Sequence, residues 1–164
     1  MSKQWVADAS PLILLQKIEQ LPLLAALCDK LVIPYGVVQE LSHKGDELRW
    51  QLFFGAFPNI EQLSEPAPIH PGVSGWDLGK GESEAISFAI ENQGYEVILD
   101  DLSARKCAET CKIPSRGTVG VILLAKKRKL IPEAKPLIEA LKTAGLWFTD
   151  DWIKHALSLV GEEY

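Results

Sequence analysis

Apolar positions along the chain fall into two alternating patterns. Short continuous runs, such as "QWVA" (4–7), "KLVIP" (30–34) and "EVIL" (96–99), have the length and bounding residues of buried strands. Between them lie stretches with apolar residues every three or four positions, which predict helices. "SPLILLQKI" predicts a helix with Ser10 as N-cap and Pro11 at its first position. "LPLLAALC" predicts a short second helix, and "YGVVQELSHK" a third with Val37, Val38 and Leu41 on its buried side. In "GESEAISFAIENQG" (81–94) Ala85, Ile86, Ala89 and Ile90 share one stripe, and Gly94 ends the helix. Further helices are expected from Asp101 to about Cys111, over "GTVGVILLAKKRKL", from Glu133 to Ala144 and from Asp150 onward. "LWFT" (146–149) reads as a last short strand. Strands interleaved with helices imply a three-layer α/β/α fold around a mostly parallel sheet.

One region breaks the alternation. "DELRWQLFFGAF" (46–57) has helical spacing but carries Trp50, Phe53, Phe54 and Phe57. These rings either pack into the core or form a partner surface. The segment that follows is rich in Pro and Gly, with at most an edge strand in "NIEQL". Residues 46–80 or so therefore read as an excursion from a single domain spanning 1–164, since neither flank completes a core alone.

Composition narrows the functional classes. Of the 164 residues, 47% are hydrophobic and 24% charged, as in ordinary soluble domains. The first residues lack a secretory signal and a membrane-spanning run, so a cytoplasmic protein without a membrane partner is expected. Three cysteines fit a reducing compartment. Cys107 and Cys111 lack the further ligands of a zinc site and read as helix-packing residues. The net charge of −5 argues against non-specific coating of nucleic acid. An enzyme that cuts phosphodiesters needs only a local basic rim.

The chemistry-bearing residues gather where strands end. Ligands of open parallel sheets bind beyond the carboxyl ends of the strands. Asp8 follows the first run, and Asp100 and Asp101 follow "VIL". Glu40 lies on the helix after the second strand, and Glu82 opens the helix after two glycines. Glu84, two residues on, points to a different helix face. Each has a plainer reading: Asp8 as a turn residue, Glu40 as a solvated helix residue, Glu82 as a charge favouring its helix N-terminus, Asp101 as an N-cap. Together they form an oxygen donor set of the kind a hard divalent cation requires. Two carboxylates about 4 Å apart repel by roughly 4 kcal/mol at an effective dielectric near 20. A proton or a cation is needed to relieve that.

The motifs "VADASPLI", "IPYGVVQEL", "LGKGESEAISFA", "VILDDLSARKCAE" and "GTVGVILLAKK" occur in this order over essentially the whole chain. The set resembles the PIN-domain ribonucleases, in particular the prokaryotic VapC-type branch. That resemblance implies a PIN fold, dependence on Mg²⁺ or Mn²⁺, and cleavage of RNA by the toxin of a toxin–antitoxin pair with a separate small antitoxin protein. It equates Asp8 with the first-strand aspartate and Ser10 with the small hydroxyl residue supporting it. Glu40 matches the acid of the "VxxEL" helix. Glu82 stands where many relatives carry Asp, with Glu84 as its alternative. Asp101, with Asp100 beside it, matches the last metal-site acid.

No serine, cysteine or histidine nucleophile is needed for such hydrolysis. His43, His70 and His155 lie in separate regions without triad spacing, and read as surface or cap residues. For RNA, Arg105 and Arg116 are the best-placed cations. Ser115, Gly117 and Thr118, at a helix N-terminus, offer backbone donors to a phosphate. "KKRK" (126–129) reads as a solvated helix end. A PIN-fold module that binds RNA or protein without cutting is the alternative. Receiver-like and haloacid-phosphatase-like domains also place acids at strand ends, but "DAS" lacks the second Asp of that phosphatase motif, and "GESEAI" has no role in either. The aromatic residues of 46–57 and of the C-terminal segment (Trp147, Phe148, Trp152) further suggest a homodimer.

Overall fold

A computed structural model describes residues 2–164. Five strands form one parallel sheet: β1 (Gln4–Ala7), β2 (Lys30–Ile33), β3 (Ile60–Gln62), β4 (Tyr95–Ile98) and β5 (Ser115–Arg116), in the order β3-β2-β1-β4-β5. The period of two along each strand divides the core between the faces. Val6 is in register with Val32 on one side and Val97 on the other, so three valines from adjacent strands form a single layer. They pack with Ala85, Ile86 and Ala89 of α6 (Lys80–Glu91) and with Ala104 and Cys107 of α7 (Leu102–Thr110).

Trp5, Ala7, Leu31 and Ile33 point the other way. They meet α1 (Ala9–Lys17), α2 (Pro22–Leu27), α8 (Thr118–Lys127), α9 (Lys135–Thr143) and α10 (Asp150–Ser158). The same side receives Val37 and Leu41 of α3 (Tyr35–His43), and Trp50 and Phe54 of α4 (Glu47–Ala56). Two of the four rings of the aromatic helix are thus core, and neither can serve a partner surface. Leu48 and Leu52 of that helix remain exposed, as do Trp147 and Trp152.

Several details depart from the sequence pattern. Helix α1 begins at Ala9, so Asp8 is its N-cap residue and Ser10 lies inside the first turn. "LWFT" forms no strand: Phe148 turns into the core while Trp147 is 81% exposed. The segment pairs with neither edge strand: the sheet ends at β3 on one side and β5 on the other. β5 is only two residues long and is held by pairing with β4. The Pro/Gly-rich segment contains a short helix, α5 (Pro71–Ser74), capped by His70, whose Nδ1 accepts the Gly72 N–H at 3.0 Å. Among the described residues, no helix is long and apolar enough to cross a membrane.

Candidate active site

β1 and β4 are adjacent, so their carboxyl ends bring Asp8 beside Asp100 and Asp101. The Asp8 N–H donates to the Ile98 carbonyl at 3.0 Å, extending the pairing by one residue. The Asp8 side chain is 4% exposed. Burial pushes its carboxyl up to about 7. The charges of Glu82 and Glu40 push the same way, while the Ala9 and Ser10 backbone N–H groups oppose them. The Asp8 side chain makes no capping hydrogen bond to α1 among the described residues, and Ser10 is exposed.

Gly81 lets the acids converge. A Cβ at that position would stand 3.1 Å from Asp8 Oδ1, 3.0 Å from Val37 Cγ2 and 3.8 Å from Glu40 Oε2. The absence of a side chain at Gly81 lets the first turn of α6 settle closely between the end of β1 and α3. The next residue, Glu82, is half-buried, and its carboxyl is raised by burial and then by the charge of Asp101, with Glu40 adding to it. Asp8, Glu40, Glu82 and Asp101 therefore share one neighbourhood. Only Glu40 has a cationic partner among the described residues, an exposed contact with Lys44 at 3.5 Å. No three His, Cys, Asp or Glu side chains among the described residues close to the spacing that encloses a metal ion.

The two adjacent aspartates part company. Asp101 is the N-cap of α7, and its Oδ2 accepts the Ala104 N–H at 2.9 Å. Asp100 turns to α8, where Oδ1 accepts the Thr118 N–H at 2.7 Å and Oδ2 accepts the Thr118 hydroxyl at 2.6 Å. Burial raises the Asp100 carboxyl, while the Thr118 hydrogen bonds and the nearby Arg105 lower it. The backbone donor that the sequence offered to a phosphate at Thr118 is therefore already occupied by a carboxylate.

Glu84 stands apart from this group. It is 1% exposed, and its Oε1 accepts the Ala67 N–H at 3.0 Å. Its Oε2 has no hydrogen-bond partner among the described residues and fills the space that a side chain at Gly36 would need. Ser87 lies one turn further on and accepts the His70 N–H at 2.9 Å. Glu84 and Ser87 together strap the excursion onto α6. Of the candidate cations, Arg116 donates through Nε to Glu96 at 3.1 Å, and Glu96 also accepts the indole N–H of Trp5. Arg105 makes no side-chain hydrogen bond or salt bridge among the described residues, although it lies beside Asp100. The sequence pattern did not single out Gly81. Its only signal is the run "GKGE", where a second glycine precedes the acid.

The arrangement offers a buried carboxyl poised near neutrality, at the end of a central strand and ringed by further acids. Such a group can exchange a proton with a reacting water near pH 7, or bind a cation. A family model of the PIN domain matches residues 4–162 of the chain. No curated protein matches it.

Proposed function

The chain belongs to the PIN-domain family, a family of nuclease-type fold, and on that footing we propose that it is a metal-dependent endoribonuclease. The observation that carries this reading is the convergence of Asp8, Glu40 and Glu82 around Gly81, with Asp8 almost fully buried. A buried carboxylate beside two others, none of the pair Asp8 and Glu82 having a cationic side-chain partner among the described residues, lacks a counter-charge.

The donor set fits Mg²⁺ or Mn²⁺. All the groups are hard oxygens, and Mg²⁺ keeps several waters while being held through only one or two carboxylates. Asp8 and Glu82 would hold the ion, with Glu40 and Asp101 at its edge. When bound, the ion lowers the pKa of a water and offsets charge on the phosphate.

The remaining steps rest on the chain's own residues. Asp8 is fixed by the end of β1 and by the start of α1, so its carboxylate orients the attacking water without reorganising. Glu82 and Glu40 accept protons or hydrogen bonds from the water shell around it. Arg105 supplies positive charge for a phosphate at the rim. No histidine, serine or cysteine is required.

The toxin role, the small antitoxin protein and the homodimer implied or suggested by the sequence belong to the same proposal. A short neighbouring gene for a DNA-binding, acidic-tailed protein would support the toxin role. The activity itself is tested by incubating the protein with single-stranded RNA in Mg²⁺ or Mn²⁺ and in excess chelator. Internal cleavage with metal and none with chelator is expected. Cleavage unchanged by chelator would overturn the metal dependence. Tight RNA binding without any cleavage would favour the non-cutting module.

A further inference from the structure

A groove of about 620 Å³ opens beside Asp100. Its walls include Leu102, Arg105, Arg116, Trp147, Trp152 and Leu159. The volume is in the range that small ligands fill. Trp147 is 81% exposed, and Trp152, Leu102 and Leu159 are also exposed, so four of the nine exposed large apolar residues among the described residues line this one groove.

The two indoles are held on a fixed support. Phe148, between them in sequence, is buried, and its ring stands 5.6 Å from that of Trp152. Thr149 caps α10 by accepting the Trp152 N–H at 3.2 Å. The Leu146 N–H bonds back to Leu141 at 3.0 Å. Trp147 and Trp152 are therefore displayed by an ordered turn between α9 and α10.

The groove is not uniformly apolar. Arg105, Arg116, His155, Glu96 and Asp100 are interleaved with the rings. An apolar protein face laid over it would take the charged Arg105, Arg116, Glu96 and Asp100 side chains out of water without offering them new polar partners, a costly arrangement. A nucleotide matches both halves: a base has a π-face for an indole, and its phosphate pairs with a guanidinium.

On the nuclease reading above, we propose that this groove is a base subsite. Trp147 and Trp152 stack an unpaired base of the RNA while Arg105 holds an adjacent phosphate, so that the enzyme selects single-stranded substrate next to the acid cluster. A base inside a duplex is stacked on both faces and cannot enter. The groove is lined by Asp100, whose chain neighbour Asp101 acts electrostatically on Glu82, so the groove lies next to the acid cluster.

The test is binding of a fluorescein-labelled single-stranded RNA, by anisotropy in excess chelator, to the wild-type chain, Trp147→Ala, Trp147→Phe, Trp152→Ala and Arg105→Gln. Binding in chelator is read without cleavage, so failure of the subsite and failure of the nuclease reading are separable. Each Trp→Ala variant is expected to weaken binding by roughly 5- to 100-fold, the range for loss of one stacked base. Trp147→Phe should recover most of that loss, because a ring remains. Arg105→Gln should weaken binding and reduce the salt dependence by about one counterion. A hairpin-free RNA duplex should bind more weakly and be indifferent to Trp147→Ala. Trp147 is a surface residue, and an unchanged thermal melt for its variants verifies folding. Unchanged affinity in Trp147→Ala and Trp152→Ala would overturn the subsite, as would equal losses on duplex RNA. Unchanged RNA affinity together with a fall from dimeric to monomeric mass in Trp147→Ala would overturn it in favour of a second copy of the chain.

Discussion

Asp100 grips Thr118 with both carboxylate oxygens, one on the backbone N–H at 2.7 Å and one on the hydroxyl at 2.6 Å. Thr118 is fully buried at the first turn of α8, so these two donors have no water to turn to. Asp100 therefore joins the end of β4 to α8, while its neighbour Asp101 caps α7 and faces Glu82. Two adjacent acids at one strand end have two separate duties.

That division predicts different stabilities for variants of the pair. Asp100→Ala should cost about 1–3 kcal/mol, the usual penalty for stranding buried donors. Asp101→Ala should cost about 1 kcal/mol as a lost cap, whereas Asp101→Asn keeps the cap and removes charge facing Glu82. The Asn variant should then match or exceed wild-type stability in metal-free solution. Urea unfolding of the three variants measures this. Equal losses in Asp101→Ala and Asp101→Asn would show that the carboxylate charge, not the cap, is what matters there.

The raised Asp8 carboxyl makes a statement about pH. Its ordinary value of 3.8 applies in the unfolded chain, and burial lifts it to about 7 in the folded one. The folded state thus holds the proton more tightly. Asp8 contributes fully to stability below pH 4, and that contribution is lost as pH rises through about 7. At about 1.4 kcal/mol per pH unit, the loss is bounded at about 4 kcal/mol. Asp8→Asn does not titrate. In chelator, its melting temperature should exceed that of wild type at pH 8, and the gap should shrink as pH falls from 7 toward 4. A gap that stays constant over this interval would contradict the buried, crowded Asp8.

Glu84 gives a prediction of pure packing. A methyl on Gly36 would stand 1.8 Å from Glu84 Oε2, so the buried Glu84 carboxylate, whose Oε1 holds the Ala67 N–H, would have to shift. Gly36→Ala should therefore destabilise the fold by about 1–3 kcal/mol or more. Glu84→Ala should also destabilise it, by freeing the excursion from α6. The double variant should lose less than the sum, because Ala at 84 makes room for Ala at 36. Strict additivity in a double-mutant cycle would mean that the two residues do not meet.

Much of this was legible in the residues. The runs at 4–7, 30–34 and 96–99 are buried on both faces, and such strands show as unbroken apolar stretches. Asp8, Glu40 and Glu82 followed from the rule that parallel sheets bind ligands beyond their strand ends. β5 was hidden because Ser115 and Arg116 owe their extended form to pairing with β4, not to any apolar pattern. "LWFT" alternated like a strand but pairs with neither edge strand of the sheet. Consecutive residues in extended backbone point opposite ways, so Asp100 and Asp101 had to diverge. Which helix each would meet depended on tertiary placement. Likewise, Glu84 was legible as facing away from Glu82, but its burial arises from Gly36 and the strapped excursion, which are remote in sequence.

A cation at the acid cluster should show itself in stability before it shows itself in rate. Mg²⁺ or Mn²⁺ should raise the melting temperature of wild type by mass action at pH 7, by roughly 2–4 °C for each kcal/mol of linkage in a chain of this size. Asp8→Asn and Glu82→Gln should gain less. Equal gains in all three proteins, followed by differential scanning calorimetry, would place the ion elsewhere.

The central claim is that Asp8 organises hydrolysis of RNA. Its most direct measurement is the single-turnover cleavage rate of Asp8→Asn against wild type on one single-stranded RNA in Mn²⁺, with both proteins folded by the same melt. Asn keeps the size and the contacts to the start of α1 but removes the charge. A rate lower by orders of magnitude, with RNA binding in chelator retained, is the predicted result. A variant that cleaves as fast as wild type would contradict the account.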